Sequence, residues 1–155
     1  MKYTMKKILR DAFILYVAVL LRILFLGRGA ECSFSVREYF FLYANLCPFR
    51  TLVRYVSFFL LKRDRASFCL ALINIGGNFL LFLPMGLFLP ALFSRLRRFR
   101  KCVWTVFFLI SFSEILQGVL RIGIPDVDDL LLNLLGACIG FCVAKNLGFC
   151  KEFLS

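Results

Sequence analysis

SEILQGVLRIGIPDVDDLLLNLLGACIG, residues Ser113 to Gly140, is where an otherwise apolar chain gathers its polar chemistry. Glu114, Gln117, Arg121, Asp126, Asp128, Asp129 and Asn133 fall within twenty residues, between two strongly hydrophobic segments. Ionisable groups at membrane depth are costly, so such a cluster is a functional candidate by default. Pro125 interrupts the stretch, which therefore reads as the turn of a helical hairpin. Glu114, Gln117 and Arg121 are spaced i, i+3, i+7 and share a face of the first helix. Asp126, Asp129 and Asn133 share a face of the second. Gly136, Gly140 and Ala144 continue that face as a small-residue row that lets a neighbouring helix approach closely.

The surrounding composition says what solvent this hairpin lives in. The chain has 155 residues, enough for one domain covering 1–155. It is 61% hydrophobic, holds 20 Phe and has a mean hydropathy of +0.85. A soluble core of this size could not hide so much apolar surface, so the expected fold is all-α and polytopic in the membrane. The net charge of +11 then reports topology and contact with anionic head groups. No soluble basic face is visible, so no nucleic-acid role is expected. There is no His, which removes the commonest general base and metal ligand. The seven Cys form no CxxC pair and no zinc spacing. Cys138 and Cys142 read as small buried apolar residues. Cys32 and Cys47 share the first loop, where a disulfide is the weaker alternative to free thiols. No cofactor is expected. For a metal, Asp126 and Asp129 are only weak candidates, suited to a hard cation.

Four spans are expected, at about residues 8–26, 67–93, 102–120 and 127–147. The first follows Lys2, Lys6, Lys7 and Arg10. Arg22 lies near its far end, and the sequence beyond offers no good small-residue cleavage site, so it reads as a retained span rather than a leader. Tyr39 to Leu61 is apolar enough to suggest another span, but Asn45, Pro48, Arg50 and Arg54 argue against it. From Phe49 onward, Leu52, Val53, Val56, Phe59 and Leu60 fall on one helical face, with Arg50, Arg54 and Ser57 on the other. That pattern predicts a helix lying in the interface plane, with Asn45, Pro48, Phe49, Arg50 and Arg54 as lipid contacts. The second span carries Asn74 and Asn78 on one face. Gly76, Gly77, Pro84 and Gly86 suggest close packing and a kink.

With the N-terminus inside, inside regions hold eleven Lys and Arg, five of them in the short 94–101 loop. Outside regions hold eight, seven of them in the long first loop. This bias places both termini in the cytoplasm. Asn74, Asn78, Glu114, Gln117, Arg121, Asp126, Asp129 and Asn133 then reach one depth from three helices. The expectation is a polar pocket open to the outer face, weighed against a hydrogen-bond network that only holds the bundle together.

Four short motifs carry a resemblance. NLCPF (Asn45 to Phe49), NIGGNFLLFLPMG (Asn74 to Gly86), EILQ (Glu114 to Gln117) and DVDDLLLNLLGACIG (Asp126 to Gly140) occur in family order, in a chain that resembles the VanZ-like membrane proteins of bacteria. The resemblance implies a small polytopic bundle in the cytoplasmic membrane. It also implies a link to glycopeptide resistance, since the family is named for a protein that raises resistance to teicoplanin. It supplies no reaction. The family pattern usually places an Arg three residues before the first Asp; here that position is Gly123, and Arg121 lies two residues earlier.

Two functions compete on the sequence. In the first, the outer pocket binds a lipid-linked cell-wall precursor, a glycopeptide-like ligand or a partner protein, without catalysis. In the second, the chain is a membrane enzyme acting on a lipid-linked envelope substrate, with Glu114 as general acid or base. No nucleophile elbow, P-loop or HExxH pattern is present, which favours the first. A channel or transporter subunit is a third reading, and four spans without an internal repeat argue against transport by a monomer.

Overall fold

The computed structural model describes residues 2–26, 34–62 and 65–147. Among these the protein is all-α, with six helices: α1 (Lys2–Phe25), α2 (Val36–Tyr43), α3 (Arg50–Lys62), α4 (Arg65–Leu92), α5 (Phe99–Leu120) and α6 (Val127–Asn146). A 3-10 turn, Ser94–Leu96, joins α4 to α5. Three helices, α4, α5 and α6, are long and apolar enough to cross a membrane, and most of their surface is left uncovered by the rest of the protein. Together with the polytopic pattern of the sequence, this makes the chain a multi-pass membrane protein.

The tightest seam lies between α4 and α6, and glycines create it. A Cβ on Gly136 would fall well inside 3.0 Å of the Phe79 carbonyl oxygen, and one on Gly140 equally close to that of Leu83. Gly86 answers from α4, where a Cβ would meet the Ala137 carbonyl. The small-residue row of α6 therefore meets α4 backbone to backbone, as its spacing predicts. Positions 136 and 140 pair with 79 and 83, so the two helices run in the same direction. Gly76 and Gly77 behave differently from the sequence expectation: a Cβ at either meets nothing within 4 Å. Close packing belongs to Gly86 alone on α4. The helix runs on through both Pro84 and Pro90.

Helix α1 packs antiparallel to α4. The Tyr16 hydroxyl donates to the Leu81 carbonyl at 2.7 Å, in the turn that Pro84 deprives of an N–H, and Phe13 meets Phe88 and Phe93 further along. Leu20 and Leu24 enter the core beside Phe82, Met85, Leu89, Cys102, Val106 and Ile110. Phe99 at the start of α5 packs edge-on against Phe141 near the end of α6. The start of α1, the ends of α4 and α6 and the start of α5 thus share one end of the bundle. Lys6, Lys7, Arg10, Arg95, Arg97, Arg98, Arg100, Lys101 and Lys145 gather there, against the single described acid Asp11, which pairs with Arg10 at 3.9 Å.

The opposite end carries the α2–α3 hairpin. The apolar stretch 39–61 is split by Ala44–Phe49 into helices of 8 and 13 residues, each too short to span a bilayer. Ser35 caps α2 reciprocally with Glu38. The Ser35 hydroxyl and then its amide donate to the Glu38 carboxylate, at 2.7 and 2.8 Å, and hold that carboxyl below the usual carboxylate range. Val53, Val56 and Leu60 of α3 are exposed, as an interfacial helix requires. Of the described cysteines only Cys102 is fully buried; Cys138 is half-buried, and Cys47, Cys69 and Cys142 are exposed. Cys142 thus departs from the buried reading, because it lies on the outer side of α6. Cys32 lies outside the described residues, so its pairing with Cys47 does too.

Candidate functional site

The hairpin is fastened to the bundle by the first turn of α6. Asn45 and Asp126 pair as an isolated parallel bridge. The Asn45 amide donates to the Pro125 carbonyl at 2.8 Å, and the Val127 amide to the Asn45 carbonyl at 2.9 Å. Asp126 is also the N-cap of α6: its Oδ1 accepts from the Asp128 amide at 2.8 Å. The same oxygen accepts from Asn45 Nδ2 at 2.9 Å, and Oδ2 accepts from the Thr51 hydroxyl at 2.6 Å. The amide of Asp126 donates to Glu114 Oε2 at 3.3 Å.

Asp128 does something the sequence spacing does not announce. It is 1% exposed, and its carboxylate accepts from the amides of Phe49, Thr51 (2.8 Å) and Leu52 (3.3 Å). Those are the amide just before α3 and two in its first turn, while the Arg50 amide bonds the Cys47 carbonyl at 3.3 Å. Phe49, just before the helix, has φ 66 and no side chain able to cap it. Helix α3 therefore borrows its N-terminal cap, and the charge that its dipole favours, from α6.

Asp129 turns the other way and accepts from Asn78 Nδ2 on α4. One helical turn earlier on α4, Asn74 donates to the Tyr55 hydroxyl of α3. All four motifs behind the resemblance thus meet at one end of the bundle: Asn45 through Asp126, Asn78 through Asp129, Asn74 through Tyr55, and Glu114 through the Asp126 amide. Glu114 meets the N-terminus of α6 through the Asp126 amide, a side chain holding backbone.

Between the hairpin, α4 and the α5–α6 turn lies a half-open cleft of about 730 Å³. Of the eight residues expected in a pocket, Asn74, Arg121, Asp126 and Asp129 line it. Asn78 sits behind Asp129. Glu114 is behind the Asp126 backbone. Gln117 is buried with its Nε2 donating to the Leu24 carbonyl at 2.8 Å, so it ties α5 to α1 instead. Asn133 is buried in the helix packing at 2% exposure, and its Oδ1 has no partner among the described residues. Of the expected interfacial contacts, Asn45, Arg50 and Arg54 line the cleft, while Pro48 and Phe49 are exposed beside it. Sequence reading did not single out Tyr39, Tyr43, Thr51 or Tyr55 as site residues, and they also line the cleft. Their common signal is proximity to the polar face of α3 and to the NLCPF turn.

Arg121 enters through an unusual backbone. It ends α5 in the left-handed region at φ 56, in a Schellman turn closed by Ile122 N–H to Gln117 O (3.0 Å) and Arg121 N–H to Gly118 O (3.1 Å). A non-glycine residue there costs about 1 kcal/mol or more. The cost is borne by the residue whose guanidinium reaches the cleft and donates to the Phe34 carbonyl at 2.6 Å. At Gly123 a Cβ would press on Gln117 at 3.2 Å, yet Gly123 and Arg121 both line the cleft. Asp126 Oδ1 already accepts two hydrogen bonds and Oδ2 one, and among the described residues no group of three or more Cys, Asp or Glu could hold a metal ion.

A family model described as VanZ/LLP1 matches residues 13–149. The chain belongs to the VanZ/LLP1 family. No curated protein and no solved structure matches it. The match takes in the cleft, its borrowed helix cap and the glycine seam. The VanZ/LLP1 assignment thus covers both the bundle and the end of it where the polar motifs meet.

Proposed function

We infer that this VanZ/LLP1 protein crosses the membrane four times, with α1 as the fourth span, and that its cleft faces outward and binds a lipid-linked or glycopeptide-like ligand. The cleft carries the ligand reading. Leu42, Phe58, Ile122 and Ile124 line it beside arginines, tyrosines and carboxylates, so it suits a molecule with an apolar and a polar part. Phe41, Leu46 and Phe49 are exposed next to it, which supports a place at head-group level. The basic residues at the other end support that end as cytoplasmic.

Orientation is tested with reporter fusions. Alkaline phosphatase joined after Cys47 is expected to be active, and joined after Phe93 inactive; the reverse pattern would invert the protein and remove the outward cleft. Ligand binding is tested by native mass spectrometry of the protein released from mild detergent. A lipid-mass adduct is expected, lost in Asn74→Trp, which fills the cleft, and kept in Ile73→Trp, which points outward. Equal adducts in both variants would place the lipid elsewhere. An effect on teicoplanin susceptibility is the physiological consequence that the family resemblance suggests, read as a change in inhibitory concentration when the chain is expressed in a susceptible host.

A further inference from the structure

We propose that the part of the ligand read by the cleft is a phosphate ester on a membrane lipid, gripped by Arg50 and Arg54. This rests on the cleft being the ligand site. Arg50 and Arg54 are one turn apart on α3, both exposed and both on the lining. Neither guanidinium has a hydrogen bond or ion pair with any described residue. Two like charges at i and i+4 destabilise a helix, and an anion between them reverses the sign of that interaction. The paired planar forks match phosphate oxygens better than they match a neutral sugar or amide.

The carboxylates of the same cleft do not cancel this preference. Asp126 turns both oxygens to Asn45, Thr51 and the Asp128 amide, and Asp129 accepts from Asn78. These bonds direct their oxygens to the protein's own donors at the floor, whereas the two arginines of α3 are exposed on the lining. Leu42, Phe58, Ile122 and Ile124 give the cleft an apolar wall beside the arginines. A lipid can therefore leave its chain in the bilayer while its phosphate sits in the cleft. A free phosphate gains nothing from that surface, which is why the lipid is the source.

The test uses the full chain in neutral maltoside micelles, which carry no phosphate, with polyprenyl phosphate and polyprenol of equal length as probes. The phosphate is expected to bind at least about tenfold more tightly. Arg50→Gln/Arg54→Gln should abolish the difference without weakening polyprenol binding, and Arg50→Lys/Arg54→Lys should restore part of it. Equal binding of both probes to the wild type would overturn the phosphate and leave an amphiphile cleft. Binding of neither would overturn the cleft reading itself. A preference surviving in the double Gln variant would overturn the arginine assignment. Displacement of the lipid by millimolar inorganic phosphate would overturn the lipid source and make a free anion the ligand.

Discussion

Asp128→Ala is expected to release α3 from the bundle and to cost about 3 kcal/mol. The carboxylate is the acceptor for three amides at the start of α3, that of Phe49 just before the helix and those of Thr51 and Leu52 in its first turn. Hydrogen bonds to a charged group contribute about 1.5–3 kcal/mol each when buried, and a donor left without a partner costs about 1–3 kcal/mol. Water at the membrane surface recovers part of that loss, so the lower end of the summed range applies. Nothing else in α3 can take over, because its N-cap position is Phe49. Asp128→Asn keeps one acceptor but turns an NH2 toward the same amides, and falls between. The measurement is hydrogen exchange. Thr51 and Leu52 should open about a hundredfold more often in Asp128→Ala, while amides near Ile110 in the core stay protected. Unchanged protection at Thr51 would show that the cap is dispensable. Loss of the cleft in this variant follows from the fold, since Arg50, Arg54 and Tyr55 all ride on α3.

How much of this was legible in the sequence depends on whether a residue's partner was near or far along the chain. Periodicity placed α4, α5 and α6 within a few residues of their bounds, because an apolar helix is a local property. The amphipathic α3 was legible for the same reason. The small-residue row of α6 announced a close helix neighbour, and the neighbour is α4. Facing was harder. The 3.6-residue period grouped Asp126 with Asp129 and Asn133 and left Asp128 aside, since a helical wheel knows one partner face. The first turn of α6 has two: α4 on the Asp129 side and α3 on the Asp128 side. Gln117 shares a face with Glu114 in projection, but α1 ends against it and takes its side chain. Asn45 and Asp126 lie 81 residues apart, and no local pattern links them. The resemblance was the only hint, since it paired the motifs by family order before the fold paired them in space.

The second large effect concerns the seam, where the same substitution should have opposite signs at two places. Gly136→Ala and Gly140→Ala put a methyl onto a carbonyl oxygen of α4. A backbone carbonyl cannot swing aside as a side chain does, so the helices must separate. Overpacking of this kind costs about 1–3 kcal/mol per site, against a gain of about 1 kcal/mol in helix propensity for replacing glycine. The steric term wins, and the pair together should lower the thermal midpoint of the detergent-purified protein by many degrees. Gly76→Ala and Gly77→Ala meet no atom within 4 Å. There only the propensity gain acts, and the midpoint should hold or rise. If the two pairs shifted alike, the α4–α6 separation would be wider than the structure has it, and the glycine row would not be its cause. The seam also reaches the cleft. Asn78 on α4 bonds Asp129 on α6, so helices pushed apart at Gly136 pull on that bond two turns away. Gly136→Ala should therefore weaken ligand binding at the cleft although it touches no residue that lines it, whereas Gly76→Ala should leave binding intact.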